Sequence, residues 1–199
     1  MRSSESPSSI GESGVGIRSS LAGSLLIAVP KLMDPNFHRM VVLMVNHDEE
    51  GAFGLVLGPA SQVSIADLCA SLGTRWERPD LVPLRYGGPC EPSRIWVVYG
   101  GREPLAGTTT VAPGVHVGSS VSLLEQLSND PERPVLILSG YAGWGPGQLE
   151  REMLHESWLP GEVTTELVFS TPPSQVWEAA LALMNLTPER IVSGQGASA

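Results

Sequence analysis

The chain has 199 residues, of which 42% are hydrophobic and 17% charged, and it carries a formal net charge of −9 at pH 7. This length and composition are typical of one folded domain with a substantial core. The negative charge disfavours direct binding of nucleic acid or of an anionic membrane, because Lys and Arg supply most of the affinity for phosphate groups. The longest apolar runs, such as residues 40–45, are much shorter than the ~20 residues that a membrane-spanning helix needs.

Residues 1–20 are rich in serine and glycine and lack an apolar segment. They therefore predict a disordered tail and show no pattern of a secretory signal. Two cysteines, Cys69 and Cys90, are too few for a disulfide framework, so a reducing cytoplasm is the expected location. We expect a single domain over residues 21–199 in a cytoplasmic protein.

The patterns after the tail predict a mixture of strands and helices. Runs of apolar and β-branched residues predict strands at 24–29, 40–46, 52–57, 84–86, 95–99, 115–117, 135–138 and 166–169. Helices are predicted from the N-cap Ser64 onward and at 120–127, 148–156 and 174–184. The polar turn 47–51 predicts a β-hairpin, and residues 102–113 are rich in turn formers. This irregular order predicts an α+β (complex α/β) fold in one domain.

The stretch 138–150 is the most informative part of the sequence. Its composition predicts a sharp, glycine-dense turn that joins a buried strand to an amphipathic helix, with an aromatic residue on each side of Gly143. Together with an earlier glycine turn and a later tryptophan, it supplies the candidate residues for binding a ligand or partner: Gly87, Gly88, Gly140, Tyr141, Gly143, Trp144, Gly147, Gln148, Glu150 and Trp158.

Several motifs of the chain recur together in one known family. They are the run 26–30 with Asp34 and Phe37, His47 followed by 51–56, the turn Gly87-Gly88-Pro89, the run 140–150, and Trp158-Leu159 with Trp177. On these motifs the chain from Gly23 to about Ala197 resembles the AlgH/YqgE family, a bacterial group without an established biochemical activity. The resemblance implies a compact fold with a bifurcated or barrel-like mixed sheet surrounded by helices. The family also carries a loose label of transcriptional regulator. The resemblance implies no catalytic residues and no cofactor.

Glu150 has two interpretations. At about 100° per residue it falls on the apolar face of its predicted helix, whereas Glu152 falls on the opposite, polar face. The apolar face is formed by Leu149, Met153, Leu154 and Trp158. Glu150 either lines a pocket as a general acid or base, or bonds back to a helix N-cap at Gly147. We favour the capping interpretation, because it explains the spacing without a substrate.

The glycine-rich turn also has two interpretations. Free N–H groups at the start of the following helix favour an anion there. Alternatively, Tyr141 and Trp144 pack on the sheet, and the glycines permit close approach of the backbone. The stretch matches neither a P-loop nor the Gly-x-Gly-x-x-Gly motif of dinucleotide-binding proteins, and we favour the structural interpretation.

Other catalytic or metal chemistry has little support in the sequence. Ser139 does not lie in a nucleophile elbow, and Cys69 is expected to be a small core residue. Residues 47–50 are rich in oxygen ligands but typical of a solvated turn, and no paired Cys or His motif indicates a transition metal. We therefore predict no catalytic residue, no cofactor and no metal site.

Three hypotheses for the function follow from these observations. The preferred one is a non-catalytic protein that binds a protein partner or a small ligand, with a regulatory outcome, through a surface near Tyr141, Trp144 and Trp158. The alternative is a hydrolase or transferase that acts on an anionic small molecule with Glu150 as the acid or base. Direct DNA binding ranks last, because the sequence has no convincing helix-turn-helix signature and the wrong net charge.

Overall fold

A computed structural model of the protein describes residues 20–78 and 82–192, so the tail predicted at 1–20 lies outside the described residues except for Ser20. The strands are β1 (Leu25–Ala28), β2 (Val41–Asp48), β3 (Gly51–Val56), β4 (Ala60–Ser64), β5 (Pro83–Tyr86), β6 (Cys90–Gly100), β7 (Thr109–Ala112), β8 (Val115–Gly118), β9 (Val135–Trp144) and β10 (Trp158–Gly161). The α-helices are α1 (Ile65–Ser71), α2 (Val121–Ser128), α3 (Gln148–Leu154), α4 (Val176–Leu183) and α5 (Pro188–Val192). A π-helical turn covers Glu166–Ser170.

Strand β9 organises the sheet because it pairs with three other strands. Its first half pairs antiparallel with β6 and parallel with β5, and its last three residues pair antiparallel with β3. The sheet therefore branches along β9 into one arm that runs β3-β2-β1-β10 and a second arm that runs β5-β4. This mixed, branched sheet with helices on its surface confirms the predicted α+β class.

Both faces of the sheet are covered, which explains why its inner strands are almost continuously apolar. One face packs against the π-helical turn and α4, around Leu43, Leu138, Val168, Trp177 and Leu181. The opposite face carries two clusters. The first lies beneath α3, around Leu26, Val42, Trp144 and Leu149. The second lies beneath α1 and α2, around Ile65, Tyr99, Leu124 and Ile137.

Three of the predicted site glycines lie at the branch point of the sheet. Gly88 and Gly140 have φ of +147° and +75°, and a Cβ on either residue would collide with the backbone of the other segment. The neighbouring Gly87 donates its N–H to the Ser139 oxygen at 2.8 Å and accepts the Val56 N–H at 2.7 Å. These glycines therefore allow β3, β5 and β9 to meet. Whether they also contact a ligand stays a prediction.

The predicted turn between the strand and the following helix is shorter than its glycine content indicates. The prediction that a turn begins directly after Leu138 is wrong, because β9 continues to Trp144 through its ladder with β3. The true turn is confined to residues 145–147. The glycines within the strand ladder allow neighbouring strands to approach closely, whereas those at 145 and 147 form the turn.

Residues 166–169 form the π-helical turn instead of the predicted strand. The Oγ1 of Thr164 accepts the Leu167 N–H at 3.1 Å, and both Leu167 and Val168 are buried. A short apolar run does not by itself distinguish a strand from a helical turn, which explains the error.

The structure confirms two further predictions and also contains elements that the sequence did not predict. The β2–β3 hairpin forms, and the Oγ of Ser64 accepts the Asp67 N–H at 3.1 Å at the start of α1. The sequence did not predict β4, β7, β10 or α5. Strand β10 contains Pro160, which an edge strand tolerates. Within the described ranges, no helix is long and apolar enough to cross a membrane.

We predict that Gly140→Ala destabilises the protein by about 3 kcal/mol, because it adds a side chain at positive φ against the backbone of Gly88. The free energy of unfolding from urea denaturation measures this effect. Gly145→Ala is the matched control, because its Cβ would meet no atom within 4 Å. Equal stability of the two variants would contradict the proposed role of the branch-point contact.

Candidate functional site

The last part of β9 presents residues to both faces of the sheet. Tyr141 packs with the cluster that contains Leu138, whereas Ala142 and Trp144 belong to the cluster beneath α3. The predicted site residues therefore separate into two groups with different surroundings. One group is buried under α3, and the other lies at the protein surface.

The buried group contains Trp144 and Trp158, and the half-buried ring of Phe37 packs against both; we call these three rings the indole cluster. The rings of Trp144 and Trp158 lie 6.0 Å apart at an interplanar angle of 79°. Phe37 lies 6.2 Å from Trp144 and 5.5 Å from Trp158. Trp144 and Trp158 are only 5% and 2% exposed, so the two rings offer little area to the predicted contact surface, and their contact with a ligand or partner stays a prediction. Both rings are core residues that hold α3 against the sheet.

The carboxylate of Glu152 satisfies the polar atoms of the indole cluster. Its Oε2 accepts the Nε1–H of Trp144 at 3.0 Å and that of Trp158 at 2.8 Å. Its Oε1 accepts from Nε2 of Gln148 at 3.0 Å, one helical turn earlier. A buried indole N–H needs an acceptor, and one carboxylate serves two.

The predicted faces of α3 are therefore wrong at Glu152 and Leu154, whereas Leu149 is buried as predicted. Glu152 was expected on the polar face, but it lies on the same side as Leu149 and Met153, at positions i+3 and i+4 from the buried Leu149. Leu154 was expected on the apolar face and is 83% exposed. The signal that could have revealed Glu152 is the need of two nearby tryptophans for a hydrogen-bond acceptor.

Glu150 lies at the edge of the core, opposite the β2–β3 hairpin. Its Oε1 is 3.4 Å from Nε2 of His47, and the two side chains are 30% and 9% exposed. Nδ1 of His47 accepts the backbone N–H of Leu21 at 3.0 Å. In the neutral imidazole the proton therefore resides on Nε2, which faces Glu150. Gly147, with φ of +68°, is the N-cap of α3, and the predicted bond from Glu150 back to this cap stays a prediction.

Two hydrogen bonds within the turn before α3 pair some of its backbone N–H groups. Gln148 donates its backbone N–H to the Gly145 oxygen at 3.0 Å, and its Oε1 accepts the Gly145 N–H at 3.2 Å. These bonds favour the structural interpretation of the turn.

A pocket of about 510 Å³ lies elsewhere, between β1, β10 and α4, and none of the predicted site residues lines it. Among the described residues, no group of His, Cys, Asp and Glu could hold a metal ion.

The surface group is a set of three half-buried aromatic residues, which we call the aromatic shelf: Phe53 of β3, Trp96 of β6 and Tyr141 of β9. Phe53 lies 4.7 Å from Trp96 and 5.2 Å from Tyr141 between ring centroids, and Trp96 lies 6.4 Å from Tyr141. Gly143 lies opposite Phe53 in the ladder and leaves room for the Tyr141 ring. The shelf is the only place where a predicted aromatic site residue reaches the surface of the described protein.

Charged side chains form a rim around the shelf. The Tyr141 hydroxyl donates to Oε1 of Glu91 at 2.8 Å, and this bond raises the pKa of Tyr141. The Arg94 guanidinium carbon lies 4.8 Å from the centre of the Trp96 ring. Arg94 also lies 3.6 Å from the Glu91 carboxylate. A polar rim around an apolar centre is the usual anatomy of a protein–protein contact.

Trp96 contains an unsatisfied donor. Its Nε1 is buried, and no hydrogen-bond acceptor for it exists within the described parts of the chain. Leaving such a group unpaired costs about 1–3 kcal/mol. The protein's own atoms enclose this donor, so it does not itself offer a contact to a partner.

We predict that Glu152→Ala lowers the free energy of unfolding by about 3 kcal/mol, because two buried indole N–H groups lose their acceptor. Glu152→Gln keeps one acceptor oxygen and should cost less. Glu125→Ala, an exposed carboxylate on α2, is the control and should change stability by less than about 0.5 kcal/mol. If urea denaturation shows the same stability for Glu152→Ala and Glu125→Ala, the carboxylate does not hold the cluster together.

A family model, similar sequences and a solved structure all relate this chain to the same group of proteins. A family model described as AlgH-like matches residues 25–189. A UPF0301 protein of Anaeromyxobacter dehalogenans (strain 2CP-C) is 38% identical over 190 residues, covering 90% of this chain and 96% of the relative. A UPF0301 protein of Myxococcus xanthus is 38% identical over 178 residues, covering 88% and 97%. The solution structure of AlgH from Pseudomonas aeruginosa superposes with a TM-score of 0.70 at 28% identity, covering 92% and 98%.

Proposed function

The chain belongs to the AlgH-like family, as its motifs predicted, and we propose that it is a non-catalytic binding protein whose aromatic shelf contacts a protein partner. The single observation that carries this proposal is the shelf itself. Three aromatic rings pack on one another and remain half-buried where they border the core cluster of this face. Clusters of this type mark interaction surfaces, and aromatic residues dominate the energetics of such surfaces.

The proposal replaces the predicted contact surface around Trp144 and Trp158 with one around Tyr141. Tyr141 is the single predicted aromatic residue common to the two surfaces. Its hydroxyl is held by Glu91, and its ring is held edge-on against Phe53. A contact residue that is already fixed loses little conformational entropy on binding.

The proposal also includes a cytoplasmic location and a regulatory outcome exerted through the partner. Cys69 and Cys90 are both free thiols, which suits a reducing compartment. The net charge of −9 makes a protein partner a better route to regulation than direct contact with DNA.

We predict that Tyr141→Ala removes a specific partner from affinity pull-downs while the protein remains folded. Truncation of a central aromatic contact should weaken binding by about thirtyfold, as expected for an interface hot spot. The measurement is quantitative mass spectrometry of proteins captured from a bacterial lysate by the wild type and the variant, with melting temperatures as the check of folding.

Leu154→Ala is the matched control for this experiment. Leu154 is a large apolar side chain that is 83% exposed, and it lies on α3, which packs on the opposite face of the sheet. A protein captured by the wild type and by Leu154→Ala, but lost with Tyr141→Ala, supports the shelf. Identical sets of captured proteins for all three would refute the proposed function.

A second candidate function, a hydrolase or transferase, is favoured by the pair of His47 and Glu150. The Nε2 of His47 faces the Glu150 carboxylate at 3.4 Å, and the contact from Leu21 fixes the tautomer of the imidazole. Such a pair is suited to proton transfer with an anionic small molecule near the start of α3. The shelf is the better-supported site, because the pair borders no pocket described above.

The two candidate functions make opposite predictions for Glu150→Gln. If Glu150 is an acid or base, the variant should lose about 10²–10⁴-fold in turnover of a phosphate or acyl ester at an unchanged melting temperature. The binding function predicts no turnover above background in the wild type. Spectrophotometric assays with p-nitrophenyl phosphate and p-nitrophenyl acetate distinguish these outcomes, and His47→Asn provides an independent variant of the same pair.

A further inference from the structure

We infer that the pocket between β1, β10 and α4 binds a primary aliphatic amine, with its alkyl chain in the apolar interior and its ammonium group at Glu162. The pocket has a volume of about 510 Å³, within the range of about 300–1,000 Å³ that is typical of small-molecule sites. It shares no residue with the aromatic shelf, so the amine site is separate from the proposed protein contact.

Leu25 and Ile27 form the inner wall of the pocket. They lie two residues apart on β1, so both side chains point to the side of the sheet that α4 covers. Both residues are only 1% exposed, and so is Ala180, which lines the pocket from α4. This wall is apolar, and an alkyl chain that leaves water to pack against it gains free energy.

Two small residues keep the pocket open. Gly161 lines it from β10, and a Cβ at this position would lie 3.0 Å from Cδ1 of Ile27. A side chain there would therefore enter the space beside Ile27. On the opposite side, Ala180 contributes only a methyl group, where a larger residue of α4 would reach further towards β1.

Leu183 and Met184 form the outer rim of the pocket, at the end of α4. Leu183 is 59% exposed, so a large part of an apolar side chain faces water beside the entrance. A bound alkyl chain would cover some of this surface. Met184 is half-buried, and its unbranched, flexible side chain can adapt to the shape of a ligand.

Glu162 determines which charge the pocket selects. Of the described residues that line the pocket, it is the one with a charged side chain. No Lys, Arg or His within residues 20–78 and 82–192 pairs with its carboxylate. The hydroxyl oxygen of Thr164, the other polar side chain of the wall, already accepts the Leu167 N–H at 3.1 Å. A carboxylate beside apolar surface favours a cation with an apolar body and repels a fatty acid.

The volume of the pocket favours a free amine over a lysine side chain of a protein partner. A heavy atom with its hydrogens takes up about the volume of one water molecule, roughly 30 Å³. The side chain of a lysine would then fill only about 150 Å³ of the pocket, whereas octylamine would fill about 270 Å³. A longer alkyl chain therefore uses the apolar walls more fully, and its compact ammonium group offers three N–H donors to Glu162.

The test is an NMR titration of the full chain, labelled with ¹³C at its methionine methyl groups, with octylamine at about pH 7, where the amine is protonated. The expected result is a saturable shift of the Met184 methyl resonance, assigned by its loss in Met184→Leu. The methyl group of Met33, which is 74% exposed and lies outside the pocket, should not shift. Equal shifts of both methyl groups, or no shift of Met184, would overturn the inference.

Three related compounds test the chemistry of the ligand. 1-Octanol, which lacks the charge, should bind about threefold more weakly than octylamine, and octanoate about tenfold more weakly, because Glu162 repels it. Butylamine, with the chain length of a lysine side chain, should bind about two hundredfold more weakly, since each CH₂ group contributes about fourfold. If octanol or octanoate binds as tightly as octylamine, the ligand is not an amine. If butylamine does so, the alkyl chain does not occupy the pocket.

Variants of exposed residues test the two parts of the site without disturbing the core. Glu162→Gln should weaken octylamine about threefold and leave 1-octanol unaffected, whereas Glu178→Gln, on α4 but outside the pocket, should change neither. Leu183→Ala should weaken both compounds about fourfold, and Leu154→Ala, an equally exposed type of leucine elsewhere, should weaken neither. Unchanged affinity of Glu162→Gln for octylamine would overturn the inference.

The aromatic shelf provides a check that the two sites are independent. Tyr141→Ala should bind octylamine as tightly as the wild type does, because Tyr141 does not line the pocket. Loss of amine binding in Tyr141→Ala, in a protein that remains folded, would contradict the assignment of the amine to this pocket. Failure of the amine to bind leaves the proposed protein contact at the shelf unaffected.

Discussion

The contact between the backbones of Gly88 and Gly140 is the constraint on which the rest of the structure depends. At this point β9 exchanges β5 for β3 as its neighbour, and neither glycine has space for a side chain. The left-handed conformation of Gly140 also shifts the alternation of β9, so that Leu138 and Tyr141, three residues apart, pack on the same face. A regular strand would place them on opposite faces. The branch therefore decides which aromatic residues are buried and which reach the surface.

The two groups of aromatic residues have different energetic roles. In the indole cluster every indole N–H has an acceptor, and the Glu152 carboxylate joins α3 to β9 and β10. Such a satisfied polar network specifies one arrangement of the core. On the aromatic shelf, in contrast, the rings are half-buried and the Trp96 N–H is unpaired. Half-buried rings that are already fixed by their neighbours are the arrangement expected of a binding site that is formed before its partner arrives.

Much of the fold, but less of the candidate site, could be predicted from the sequence. Local signals sufficed for the β2–β3 hairpin and the Ser64 cap, because turn and capping chemistry act over a few residues. The pairing of β9 with three strands depends on residues far apart in the sequence. The glycines of its ladder were therefore mistaken for those of a turn. Trp96 was within a predicted strand, but its meeting with Phe53 and Tyr141 depends on strand order. Glu152 was assigned to the wrong face of α3. Helical periodicity considers only the helix itself, and not the indole N–H groups of tryptophans on other elements that require an acceptor.

The most direct test of the shelf as a contact surface is photocrosslinking inside bacterial cells with a photoreactive phenylalanine analogue. The analogue replaces Tyr141 in one variant and Met33, a residue that is 74% exposed, in a control. Our account predicts a discrete crosslinked species of defined mass from position 141 that is absent from position 33. No crosslink at position 141, or the same products from both positions, would contradict it.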